Sequence, residues 1–310
     1  MKPEKRVLFH LSFTVISILM LSGLLAAAGV DSKINQLENQ LMTRISSLKD
    51  SFDGLLGLAV KDLTTGRTFF LNENEVFPQA SSIKIAILLE VLKQAEENRL
   101  RLDEFIELKD EHKVGGGPIL VYLGYPSLKI SIRDLCVLMI VLSDNTATNL
   151  LIERVGQESV NRRLASLGLN RTRLQRRMMD LKAAEEGREN ISTPKEMMML
   201  LEKVWQEKVL TPENRQLFFD LLSLPKDSPL QKAVPEGVKV ADKPGELEAV
   251  RCDSGLVILK KKPYIICVMT TYLGPDEDGN DIIRKIGKLV YRHFDRLERS
   301  SEYGRIISEK

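Results

Sequence analysis

A chain of 310 residues, 43% hydrophobic and 28% charged, is long enough for a large buried core and has ordinary globular composition. Its net charge of +2, without a long block of one sign, gives no electrostatic reason to expect nucleic acid as a partner. The three histidines, His10, His112 and His293, lack any clustered ligand spacing. That argues against a zinc centre and against a Ser-His-Asp triad, so no metal or cofactor is expected.

In chain order, Lys2, Lys5 and Arg6 precede an apolar run, Val7 to Leu25, free of acidic groups and followed by Ala26-Ala27-Ala28. This is the layout of a secretory signal. The run is also long enough to stay in the bilayer as an anchor. Either way the remaining chain is expected to be exported, periplasmic or extracellular, and no cysteine at the end of the run suggests a lipoprotein. Residues 31–50 carry Ile34, Leu37, Leu41, Ile45 and Leu48 at helical spacing. Leu55 to Lys61 and Arg67 to Leu71 read as a hairpin turning at Thr64-Thr65-Gly66. A helical pattern runs from Ser82 to about Arg99, and Gly115-Gly116-Gly117-Pro118 reads as loop.

Ser131-x-x-Asp134 resembles a capping box opening an apolar helix through Leu142. Thr193-Pro194-Lys195-Glu196 and Thr211-Pro212-Glu213 mark two further helix starts. Strands return at Gly237 to Val240, running into Lys243-Pro244-Gly245, and at Arg251 to Leu259 and Tyr264 to Tyr272 across Lys261-Lys262-Pro263. Ile282, Ile286, Leu289, Val290 and Phe294 mark a last amphipathic helix. The order predicts an α+β fold: a five-stranded antiparallel sheet flanked by terminal helices, with an all-α insertion. Residues 29–80 and 237–300 are expected to form the sheet subdomain, 81–236 the helical one, 1–28 the leader and 301–310 a frayed tail. Cys136 and Cys267 read as buried hydrophobes, and a Cys252–Cys267 bridge is conceivable.

Three polar motifs interrupt this pattern. Ser81-Ser82-Ile83-Lys84 places a hydroxyl and an amine on one helical face. A serine needs a base, and a lysine serves once desolvation or neighbouring cations lower its pKa. Ser143-Asp144-Asn145 follows an apolar helix, where a second hydroxyl can relay a proton. Lys243-Pro244-Gly245 sits on a late strand: the lysine offers charge to a carboxylate, and the glycine lets a substrate backbone lie close. Each motif alone is weak, but together, in this order, they form a known set. Over about residues 31–298 the chain resembles the class A β-lactamase and related penicillin-recognising serine hydrolase family. The words Ala80-Ser81-Ser82-Ile83-Lys84, Ser143-Asp144-Asn145-Thr146-Ala147-Thr148-Asn149 and Asp242-Lys243-Pro244-Gly245-Glu246 carry the resemblance.

The resemblance implies that Ser81 attacks the carbonyl, that Lys84 takes its proton directly or through water, and that Ser143, helped by Lys243, passes a proton to the departing nitrogen. It implies Asn145 as a hydrogen-bond partner of the substrate amide. The backbone N–H groups of Ser81 and Glu246, beside Gly245, would form the oxyanion hole, and Arg251 would bind the substrate carboxylate. The family's Arg-x-Glu-x-x-Leu-Asn loop departs here. If Arg176 takes the arginine's place, Met178 takes the glutamate's, and Asn190 replaces the loop's acidic partner. Asp180 is the nearest carboxylate that could substitute, while Glu185, Glu186 and Glu189 read as a solvated cluster. Pro244 stands where the family has a hydroxyl, and Leu88 replaces the cysteine that would pair with Cys136. The expectation is a β-lactamase-like serine hydrolase acylated at Ser81 but weak in deacylation. The alternatives are a cell-wall D-Ala peptidase-like amide hydrolase, a non-turnover penicillin-binding sensor, or an exported domain with a decayed site. Expected partners are a β-lactam or a peptidoglycan-type peptide, with no nucleic acid, a membrane only through the N-terminal run, and a monomeric chain.

Overall fold

The computed structural model describes residues 32–274 and 278–306, so the leader and its Ala26-Ala27-Ala28 site lie outside the described residues. Helix α1 (32–50) precedes the hairpin of β1 (Leu55–Asp62) and β2 (Thr68–Leu71). The chain returns to the same sheet only as β7 (Lys239–Leu247), β8 (Val250–Ile258) and β9 (Tyr264–Thr271), before closing with α9 (Gly279–Arg299). The sheet order is β2-β1-β9-β8-β7, antiparallel throughout. Strand β9 is central and all eight of its residues are buried. Its even members, Tyr264, Ile266 and Val268, pack with Leu41, Ile45, Ile286 and Val290 of the terminal helices. Its odd members, Ile265, Cys267 and Met269, pack against the helices of the insertion. Burial on both faces is why this strand reads as a continuous apolar run.

Between the two parts of the sheet lie α2 (Lys84–Glu96), α3 (Ile132–Val141), α4 (Asn145–Val155), α5 (Gln157–Ser166), α6 (Leu181–Glu185), α7 (Pro194–Trp205) and α8 (Pro212–Leu222). The local signals act as their chemistry dictates. Ser131 Oγ accepts the Asp134 N–H at 3.0 Å, and Thr193 Oγ1 accepts that of Glu196 at 3.1 Å. The Glu196 carboxylate does not close a capping box. It accepts from the Arg171 and Thr172 N–H groups instead, tying the next loop to α7.

Several elements differ from expectation. The helix predicted from Ser82 is preceded by a tight 3₁₀ turn, Ala80–Ile83, and ends at Glu96. Two small pairings, β3 (Phe77–Pro78) with β6 (Ile191–Ser192) and β4 (Phe105–Leu108) with β5 (Leu128–Ser131), are too short to show a period. The segment after α9 is partly ordered, since Ser300 bridges Ile306. All three cysteines are buried and free, and Cys252 pairs across the sheet with Met269 rather than Cys267. No described helix is long and apolar enough to cross a membrane.

Candidate active site

The 3₁₀ turn before α2, the junction of α3 and α4, and strand β7 converge on one cleft of about 960 Å³, within the range of small-molecule sites. Ser81, Ser143, Asn145, Lys243, Gly245 and Glu246 all line it. Two of these junctions are held in left-handed backbone conformations, with φ of 45° at Ala80 and 54° at Ser143. For residues other than glycine such strain costs about 1–3 kcal/mol each and persists only where the surroundings impose it.

Lys84 is fully buried. Its Nζ lies 2.7 Å from the Ser143 carbonyl, 3.0 Å from Ser143 Oγ and 3.1 Å from Asn145 Oδ1. Ser143 Oγ in turn lies 2.7 Å from Ser81 Oγ and 3.2 Å from Lys243 Nζ. Ser143 is therefore the hub. Among the described residues Lys84 makes no hydrogen bond to Ser81, and the Ser143 hydroxyl touches both. Burial first, and then the Lys243 cation, push the Lys84 amine well below its ordinary value, with Asp144 opposing. Burial lowers Lys243 to about 8 even though the neighbouring Asp242 carboxylate pulls it up. Lys84 Nζ donates to all three of its partners, and the Ser143 hydroxyl in turn donates to Ser81 Oγ.

Asn145 also crosslinks: its amide donates to the Gly115 and Gly116 carbonyls at 3.3 and 3.1 Å. Asp144 caps α4 through the Ala147 N–H and accepts the Leu120 N–H, so the motif pins the glycine loop as a wall of the cleft. Gly245 is fixed by a close approach. A Cβ there would lie 2.5 Å from the Gln79 carbonyl and 2.9 Å from the Ser82 nitrogen, both backbone atoms. Ser82 Oγ donates to the Lys243 carbonyl at 2.7 Å across the same seam. Gly245→Ala should therefore cost about 1–3 kcal/mol by overpacking and separate β7 from Ser81. A thermal melt with an unchanged midpoint would refute this.

Beneath Lys243 lies a buried acid pair. Ser228 Oγ contacts Asp242 Oδ2 and also Asp253 Oδ2, the latter at 2.9 Å. A hydroxyl has one hydrogen, so one carboxyl must bring its own. Asp242 accepts from Lys226 and Gln231 at 3.2 and 2.9 Å, whereas among the described residues Asp253 Oδ1 has no partner. Asp253 is the neutral member, pushed well above the carboxylate range by burial and then by Asp242. In the unfolded chain it ionises at its ordinary value. Stability therefore falls as pH rises from about 4 toward the folded-state value. Asp253→Asn keeps the shape without the proton, so its melting temperature relative to the parent should climb across that window. Parallel curves would contradict the assignment.

Two expected site residues lie elsewhere. Asp180 is exposed and caps α6 through the Ala183 N–H at 3.0 Å, lining a separate groove with Glu111 and His112. Local capping outcompetes a turn into the cleft. The Arg251 guanidinium is held by the Leu247 and Val250 carbonyls at 2.7 and 2.8 Å and by Glu246 at 2.7 Å, so it closes the β7–β8 turn and does not line the cleft. Glu189 is no free surface charge: it pairs with Arg176 at 2.9 Å and supplies the acidic partner expected one residue later at Asn190. Asn190 ties the backbone instead, accepting from the Gln175 and Arg176 N–H groups. The Met178 backbone is locked on both sides by the Asn149 side chain, at 2.8 and 3.1 Å, and the residue lies between the cleft and the groove that holds Asp180. Sequence reading missed Lys232 and Arg284, cations of the cleft wall paired with Asp227 and Asp281. Neither has a motif to announce it.

The chain is similar to known proteins. The chain is 27% identical over 246 residues to β-lactamase SME-1 of Serratia marcescens, covering 77% of this chain and 83% of that protein. It is 30% identical over 226 residues to β-lactamase L2 of Stenotrophomonas maltophilia, covering 72% and 74%. Among solved structures, the L158E mutant of PBP-A, an acyl-enzyme complex with penicillin G, superposes with a TM-score of 0.75 at 26% identity, covering 85% of this chain and 97% of that one. Residues 39–294 match the family described as the beta-lactamase enzyme family. With the five-stranded sheet and the three converging motifs, this match means that the chain belongs to that family, in its class A-like serine-enzyme branch.

Proposed function

We propose that this chain is an exported serine hydrolase whose Ser81 is acylated by β-lactams and whose acyl-enzyme is hydrolysed slowly. The observation that carries the reading is the unbroken contact chain Ser81 Oγ–Ser143 Oγ–Lys84 Nζ, with Lys243 beside it, at the floor of the cleft. Neutral Lys84 draws the Ser81 proton through the Ser143 hydroxyl as the Ser81 oxygen bonds to the lactam carbon. The N–H groups of Ser81 and Glu246 receive the developing oxyanion. As the C–N bond breaks, the proton returns from Lys84 through Ser143 to the ring nitrogen. The Lys243 ammonium offers charge to the substrate carboxylate.

Hydrolysis then needs a base for water, and the thioether of Met178 cannot act as one. The same feature favours a second reading, a cell-wall peptidase inhibited by β-lactams, in which the acyl group is passed on by a different acceptor. Named relatives are β-lactamases, and the PBP-A neighbour carries penicillin G as an acyl-enzyme, so both readings have kin.

Full chain mixed with penicillin G should gain the whole mass of the drug, located at Ser81 by peptide mapping, and Ser81→Ala should gain nothing. Substrate loss should run far slower than adduct formation. A protein showing neither adduct nor substrate loss would sink the reading. Turnover of a muropeptide with free D-Ala release would favour the peptidase.

A further inference from the structure

The positive excess of the molecule gathers on the two terminal helices. Helices α1 and α9 together carry nine basic and five acidic side chains, whereas the whole chain has an excess of two. The acidic groups of α9 are already engaged: Asp281 with Arg284 and Lys285, Asp295 with Arg299, and Glu298 with the Lys261 N–H. Glu38 of α1 pairs with Arg67. Arg44, Lys288, Arg292 and Arg296 are exposed, and among the described residues none of them has a carboxylate partner. Lys288, Arg292 and Arg296 are four apart and form one stripe along α9, with Arg44 facing it from α1.

Below this stripe two adjoining grooves, about 300 and 450 Å³, run between the helices. Their floor is Leu37, Leu41, Leu48 and Leu289. A cationic rim on an exposed face fits a broad anionic surface. The chain outside the described residues points the same way. The apolar run 7–25 ends six residues before α1 begins, a span of about 20 Å at most when extended. If that run is embedded in a bilayer, α1 is held at its surface. We infer that the α1–α9 face docks on an anionic lipid bilayer, its four cations contacting headgroup phosphates. An acidic protein or polymer would satisfy the charges, but nothing in the sequence brings one to this face as the run 7–25 brings a bilayer.

The three native cysteines are buried, so a thiol-reactive probe reads a new surface position. Ser47 lines one groove and is exposed. The full chain carrying Ser47→Cys labelled with bimane is reconstituted in phosphatidylcholine vesicles, with or without phosphatidylglycerol. Bimane emission should shift to the blue only when the anionic lipid is present, and the shift should vanish in high salt. Apparent affinity for the anionic lipid should fall about 25-fold for each cation reversed, two units of charge, in Arg44→Glu, Lys288→Glu, Arg292→Glu and Arg296→Glu. Single reversals keep the test decisive if the combined variant melts early. Equal emission in both lipids, or a shift unaffected by the reversals, would overturn the inference. So would a shift with soluble polyglutamate and none with phosphatidylglycerol, which would assign the face to an acidic polymer.

Discussion

Lys84→Met should slow acylation of Ser81 by penicillin by roughly 10²–10⁴-fold, the range of a lost general base. Methionine matches the length and burial of the lysine stem but has no N–H and no lone pair strong enough to take a proton. It leaves the Ser143 carbonyl and Asn145 Oδ1 without their shared donor, although Asn145 keeps its contacts to Gly115 and Gly116. The measurement is the rate of adduct appearance by quenched-flow mass spectrometry. The pH profile separates lost chemistry from disturbed packing. In the parent enzyme the rate should rise as the lowered Lys84 amine deprotonates. It should fall again as Lys243, at about 8, loses the charge that holds a carboxylate. The methionine variant should retain the alkaline limb and lose the rising one. A variant that acylates at the parent rate would remove Lys84 from the mechanism.

The opposite change is expected at Met178. Met178→Glu should speed loss of the penicillin adduct by about 10²-fold or more, because a carboxylate can take a proton from the attacking water and a thioether cannot. The substitution alters the side chain alone: the backbone N–H and carbonyl at this position are held by Asn149. The cost is a carboxylate in a nearly closed site, since Met178 is 7% exposed, so a lower melting temperature should accompany the gain. Adduct lifetime and steady-state hydrolysis of a chromogenic cephalosporin report the two halves of the reaction. If the folded variant holds its adduct as long as the parent, the missing loop carboxylate is not the reason for slow turnover.

The two expectations rest on different kinds of information. Ser81 and Lys84 were legible because a three-residue spacing on a helical segment is a local geometric fact. The hairpin at Thr64-Thr65-Gly66 and the capped starts at Ser131, Thr193 and Thr211 were legible for the same reason: each is written in residues that touch one another along the chain. Strand β9 could be read as a buried strand from its unbroken apolar run.

What the sequence by itself determined, then, was the order of elements, the antiparallel sheet drawn from both ends of the chain, and the three motifs that bear the polar chemistry. Only the tertiary structure decided that Ser143 stands between Ser81 and Lys84, that Asp180 caps a helix away from the cleft, that Arg251 closes a strand turn, and that Glu189 answers Arg176. The physical reason is competition. A polar side chain takes whichever partner reaches it at least desolvation cost, and that choice depends on neighbours brought close by packing of the sheet and helices, which no local spacing records.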